Sequence, residues 1–143
     1  MFKIIALVAF VAAVALAGVP VVTNCSPDNV IFTNLRYTWW PMNVNGGDKL
    51  HIAFNGDLTA EVTALPLGLI ASIDGIPIIN NEMNICPFLQ NNLTCPVAPG
   101  PLAHEMEWLI PNVLMPGIIL NFTITLKDQT AAELVCINID INI

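Results

Sequence analysis

Polar and apolar residues alternate with a period of two along most of this chain, and no stretch sustains the 3.6-residue period of a helix. Three segments show it best. Over Lys49 to Leu58, Leu50, Ile52 and Phe54 alternate with Lys49, His51 and Asn55. Over Ile118 to Lys127, Leu120, Phe122, Ile124 and Leu126 alternate with Asn121, Thr123, Thr125 and Lys127. Over Ala132 to Ile143, Ile137, Ile139 and Ile141 alternate with Asn138, Asp140 and Asn142. Successive side chains on a strand point to opposite faces, so each segment predicts a strand with one face in a core and one in water.

Two further strands follow from the same period. Asn29 to Trp40 is one, ended by Pro41 and the turn signal Asn45-Gly46-Gly47. Leu102 to Ile110 is the other, with Leu102, His104, Met106 and Trp108 on one face and Ala103, Glu105 and Glu107 on the opposite one. The apolar stretch Thr59 to Ile79 carries Pro66, Gly68, Gly75 and Pro77, so it is expected to bend or to run partly along a sheet edge. Six or seven strands with regular turns and no helix between them predict an all-β, immunoglobulin-like antiparallel sandwich.

Residues 1–17 differ in kind. Lys3 supplies a positive n-region, Ile4 to Leu16 an apolar h-region, and Ala15-Leu16-Ala17 a small-residue cleavage site. That apolar run is shorter than the roughly 18–20 residues a spanning helix needs, and Pro20 follows it. The expected organisation is a signal peptide at 1–17 and one domain at 18–143, which suits a single core. The longest later apolar segment, Leu109 to Leu126, is interrupted by Pro111, Asn112, Pro116-Gly117 and Asn121 and cannot span a bilayer.

The 143 residues hold four Lys and Arg against eleven Asp and Glu, a net charge of −7. Scattered cations leave no footprint for nucleic acid and no polybasic patch for an anionic membrane. Four cysteines in a short exported chain imply two disulfides, for which three pairings exist. Cys86 and Cys95 flank a short polar loop and can close a local hairpin, which leaves Cys25 to meet Cys136. Asn24, Asn92 and Asn121 head glycosylation sequons, of which Asn92 lies in the most polar loop.

Little here suggests catalysis. His51 and His104 are the only histidines, no Gly-x-Ser-x-Gly elbow occurs, and no free thiol is expected. Glu105 and Glu107 share one strand face and project together, unlike the opposed carboxylates of a glycosidase. No ligand spacing fits a metal, and no cofactor is expected. By parity His104 faces inward, where it reads as a structural, hydrogen-bonded histidine ahead of a headgroup contact. Among Tyr37, Trp39 and Trp40, the leading expectation is one Trp in the core and the other over a loop, ahead of membrane contact.

The order of pieces resembles the ML domain, the lipid-recognition family of the second Niemann-Pick type C protein and the fungal phosphatidylglycerol/phosphatidylinositol transfer proteins. The matching pieces are Cys25, Gly75-Ile76-Pro77-Ile78 before Cys86, Cys95-Pro96, Met115-Pro116-Gly117 and Leu134-Val135-Cys136. The resemblance implies two sheets splayed around an apolar cavity for one lipid tail or sterol, with pairings Cys25–Cys136 and Cys86–Cys95. It places Ile78, Val113 and Met115 at the cavity mouth, where only Val113 keeps the residue type of the sterol carriers. A third disulfide of those carriers has no counterpart, because no cysteine stands between Cys25 and Cys86.

With that frame, the expected walls are Phe32, Leu50, Ile52, Phe54, Leu67, Leu69, Ile73, Met106, Trp108, Phe122, Ile124, Ile137 and Ile139, although any sandwich fills its middle with such residues. The expected function is a monomeric carrier of a sterol or phospholipid, secreted or in the endosomal/lysosomal lumen, that touches membranes transiently. The alternatives are an extracellular adhesion module with a filled core, or a lipid-presenting accessory protein for a receptor or hydrolase.

Overall fold

A computed structural model describes residues 18–28, 31–112 and 117–143, so the expected leader at 1–17 lies outside the described residues. The described chain forms eight antiparallel strands: β1 (Val21–Asn24), β2 (Phe32–Trp40), β3 (Lys49–Leu58), β4 (Pro66–Ile73), β5 (Ile76–Asn84), β6 (Gly100–Leu109), β7 (Ile119–Lys127) and β8 (Glu133–Asn142). One 3-10 turn, Cys86–Phe88, follows β5. The count corrects the expected six or seven. β1 is only four residues long, too short for alternation to show, and it is held by pairing with β8.

The strands form two sheets, a five-stranded one in the order β1-β8-β7-β4-β5 and a three-stranded one in the order β2-β3-β6. Alternation decides which residues meet between them. Leu50, Ile52, Phe54 and Leu58 of β3 are buried, as are Leu120, Phe122, Ile124 and Leu126 of β7 and Ile137, Ile139 and Ile141 of β8. These inner faces join in one core cluster.

Two local devices set side-chain parity. A bulge in β2 between Thr33 and Arg36, with Asn34 at φ 57°, shifts the register so that Phe32 and, farther on, Tyr37 and Trp39 all pack on the core. Trp40 therefore points out, 40% exposed, and stacks on His51 at 4.9 Å. The bending segment resolves into the hairpin β4–β5. Asp74 and Gly75 sit at φ 47° and 81°, the positive pair that a tight hairpin turn requires. Asp74 also fastens this turn to β7, its Oδ1 accepting from the Ile119 N–H at 2.9 Å.

The chain crosses between the sheets four times, after β1, β3, β5 and β6. Strand directions put the first three crossings at one end of the sandwich, and that end is cross-linked. Cys25, just past β1, is bonded to Cys136 of β8, and Cys86–Cys95 spans the β5–β6 connection. Val62 and Val97 exchange backbone hydrogen bonds of 3.0 and 2.8 Å, tying the β3–β4 connection to the β5–β6 one. The turn between β7 and β8 lies there too. Its buried Asp128 accepts on Oδ1 from the Thr130 N–H (2.8 Å), the Thr130 hydroxyl (2.6 Å) and the Ala132 N–H (3.1 Å). The opposite end has only the β6–β7 crossing, part of which, 113–116, is outside the described residues.

Two measurements test this end of the molecule. Cys25 and Cys136 are 111 residues apart and Cys86 and Cys95 nine. Loop-closure entropy then predicts a loss of about 4–5 kcal/mol for the C25S/C136S pair and about 2–3 kcal/mol for C86S/C95S in urea unfolding. Equal losses would contradict the assignment of a dominant long staple. For Asp128, burial alone would raise the carboxyl, but the hydrogen bonds from Thr130, from Ala132 and from its own backbone outweigh burial and hold it below the usual aspartate range. The carboxylate's contribution is thus complete above about pH 4 and is lost as pH falls through the lower folded value. D128A should cost about 1–3 kcal/mol at pH 7 and should flatten acid unfolding in that window; an unchanged acid limb would refute it.

Candidate functional site

Where the inner faces of the two sheets meet at the edges formed by β5 and β6, they leave a cavity of about 310 Å³. β4 contributes Leu67 and Leu69, and β5 contributes Asn81 and Met83 directly across from them in register. The facing wall is β6, with His104, Met106 and Trp108 from its inner face and Glu107 at the rim. Leu67 is nearly buried and Asn81 and Met83 are exposed, so the cavity runs from the core to solvent along the β5–β6 seam. Its volume lies at the lower end of the roughly 300–1,000 Å³ usual for ligand pockets.

One ring contact joins the two sheets beside the cavity. Trp108 of the small sheet stacks on Phe122 of the large sheet, centroids 5.3 Å apart and planes 10° from parallel. Small Ala71 stands beside Phe122 on the neighbouring strand. Beyond this pair the core is filled by side chains with almost no exposed surface.

The residues expected as cavity walls therefore divide. Leu67, Leu69, Met106 and Trp108 line the cavity. Phe32, Leu50, Ile52, Phe54, Phe122, Ile124, Ile137 and Ile139 are packed in the core, and Ile73 is half-buried against it. Ile78 is elsewhere. The register runs Ala71↔Ile79 and then Ser72↔Pro77, so Ile78 is the extra residue of a bulge on the edge strand, 52% exposed. Val113 and Met115 lie outside the described residues. Sequence reasoning passed over Asn81 and Met83. The Asp74-Gly75 turn was the available signal, because a two-residue hairpin would have folded 76–84 back onto 66–73 and set Met83 opposite Leu67.

His104 differs from the structural histidine expected. It is 7% exposed and stands against Phe54 at 5.9 Å, and its Nδ1 is buried without a hydrogen-bond partner. Burial lowers its pKa, with Glu105 pulling the other way. The outer histidine, His51, also has a buried Nδ1 without a hydrogen bond, but it lies beside carboxylates and not beside the cavity. His51 Nδ1 lies 3.4 Å from Glu107, whose other oxygen is 3.2 Å from Lys49 Nζ.

The expected sequons occupy different settings. Asn92 is exposed in the loop between the hairpin cysteines. Asn24 is exposed, with its Oδ1 accepting from the Ser26 N–H at 2.8 Å. Asn121 is half-buried on the outer face of β7, its Nδ2 donating to Asn138 (3.1 Å) and Asp140 (2.6 Å). Among the described residues no helix is long and apolar enough to cross a membrane.

The sequence model of the ML domain matches residues 20–143. The chain belongs to the ML domain family. A Dictyostelium discoideum protein named for phosphatidylglycerol/phosphatidylinositol transfer is 32% identical over 103 residues, covering 72% of this chain and 71% of its own. A second protein of that organism, similarly named, is 23% identical over 121 residues, covering 85% and 84%. Two solved structures share the fold. The Niemann-Pick type C2 protein of the Japanese carpenter ant superposes with a TM-score of 0.61 at 10% identity, over 85% of this chain and 98% of that one. Chicken MD-1 complexed with lipid IVa gives 0.56 at 15% identity, over 86% and 88%.

The state of His104 can be read in stability. With its folded pKa below the ordinary 6.5, the unfolded chain takes up the proton first. Stability from this group is then complete above about pH 6.5 and declines as pH falls towards the folded value. Urea midpoints between pH 7.5 and 5 should show that decline in the wild type and less of it in H104Q; identical slopes would contradict a buried neutral ring.

Proposed function

We propose that this protein is a lipid carrier that shelters an acyl chain between its sheets and moves the lipid through water. The observation that carries the reading is the apolar cavity open along the β5–β6 seam of an ML domain. Each methylene taken from water contributes about 0.8 kcal/mol, so a long chain needs no charged clamp. Leu67, Leu69, Met106 and Trp108 make the first contacts with that chain. The polar headgroup stays at the rim beside Asn81 and Glu107. The seam parts at the weakly linked edge, while the disulfide-linked end keeps the sheets together.

A glycerophospholipid is the ligand class we favour. The names of the two Dictyostelium relatives support it, as does the absence of cysteines between Cys25 and Cys86 where sterol carriers have an extra disulfide. Loading takes place at a membrane surface, reached through exposed apolar residues on both sides of the seam, Ile78 and Met83 on β5 and Leu109 on β6. The leader and the disulfides support an exported protein or one in the endosomal/lysosomal lumen.

The test is direct. The purified protein is incubated with vesicles of mixed phosphatidylglycerol, phosphatidylinositol, phosphatidylcholine and cholesterol, separated from them, and weighed by native mass spectrometry. A one-to-one complex with chemically intact phospholipid is the expected result. Protein that emerges lipid-free would favour a surface-acting adhesion module, and cleaved lipid would favour a hydrolase.

A further inference from the structure

We propose that His104 is the polar contact inside the cavity, and that the ligand presents to it an uncharged oxygen, an ester carbonyl or a hydroxyl. This rests on the lipid-carrier reading above and narrows it to what the bound lipid offers below the rim.

A polar nitrogen taken out of water without a partner costs folding free energy, so a structure that leaves one unpaired beside a cavity has unused hydrogen-bonding capacity there. His104 meets that description: its ring forms part of the cavity wall, and its Nδ1 is buried and unpaired. The wall around it is otherwise apolar at that depth, with Leu67 and Leu69 facing it from the other sheet. Met83 and Met106 share the wall, and such unbranched side chains can shift to let an entering oxygen reach the ring.

The surroundings decide the charge of the complementary group. Glu105 is adjacent along β6, Glu107 stands at the rim, and no Lys or Arg is among the described residues that line the cavity. A carboxylate or phosphate brought to this depth would lose its hydration with no cationic side chain among the described lining residues to pair with it. Burial also disfavours protonation of the ring, so no imidazolium is there to compensate. Neutral imidazole carries one N–H and one lone pair. A carbonyl accepts from the N–H, and a hydroxyl suits either nitrogen. In a glycerophospholipid the fitting atom is an ester carbonyl, placed below a headgroup that remains outside.

The experiment uses the full secreted protein and four probes of equal chain length: methyl hexadecanoate, hexadecan-1-ol, hexadecanoate and hexadecane. They are delivered from cyclodextrin and read by displacement of a fluorescent apolar dye. In the wild type the ester and the alcohol should bind about tenfold tighter than the alkane, the size of one well-made neutral hydrogen bond. H104L should erase that preference, read as the ratio of ester or alcohol affinity to alkane affinity within each variant, and H104Q should keep it to within about threefold. H104F repeats the apolar comparison should H104L not fold, as judged by near-ultraviolet circular dichroism. The ester and alcohol arms separate a carbonyl source from a hydroxyl source. A preference that survives in H104L and H104F, or tightest binding by hexadecanoate, would overturn the role of His104 while leaving the carrier intact. Failure of all four probes to bind the wild type would overturn the carrier reading itself and this contact with it.

Discussion

The arrangement depends on an asymmetry in how the two sheets are joined. Three of the four crossings lie at one end, where Cys25–Cys136 ties the β1–β2 connection to β8, Cys86–Cys95 closes the β5–β6 connection on itself, and the Val62–Val97 bridge joins that connection to the β3–β4 one. Along the β5–β6 seam no backbone hydrogen bond links the sheets, because β5 pairs only with β4 and β6 only with β3. A sandwich whose chain is cross-linked at one end can tolerate an incompletely filled interior elsewhere. Loop-closure entropy removed from the unfolded chain compensates for apolar contact not made in the folded one.

That freedom is used where the edge strands meet. Leu67 and Leu69 present an apolar wall across from Met106 and Trp108, and the Trp108–Phe122 stack bridges the sheets beside the cavity. The stack is a dispersion contact with no hydrogen bond to break, so the sheets are held there by side-chain packing. Charge is kept to the rim and the outer faces, as the Lys49, His51 and Glu107 group shows. Among the described residues that line the cavity, His104 is the buried polar side chain.

Much of the fold was legible because period-two alternation states which face of each strand is buried. Lys49–Leu58 matches β3 at both ends, and β7 and β8 fall within a residue of the segments read from their alternation. Legibility failed where a local irregularity resets parity or where a partner supplies the stability. The β2 bulge turns Tyr37 and Trp39 inward, the bulge in β5 leaves Ile78 out of the cavity, and β1 exists only because β8 offers it an edge. For the site the limit is sharper. A Leu lining a cavity and an Ile filling a core have the same pattern, so Leu67 and Ile137 cannot be told apart until both sheets are in place.

What the sequence determined by itself was an acidic, two-disulfide, antiparallel sandwich with a resemblance to one family, since those follow from periodicity, cysteine count and a handful of short motifs. Only the tertiary structure decided where that sandwich is left unfilled and which polar side chain lines the gap. Void and packing are properties of the distance between two sheets, and that distance is fixed by contacts between residues far apart in the chain, such as Trp108 against Phe122.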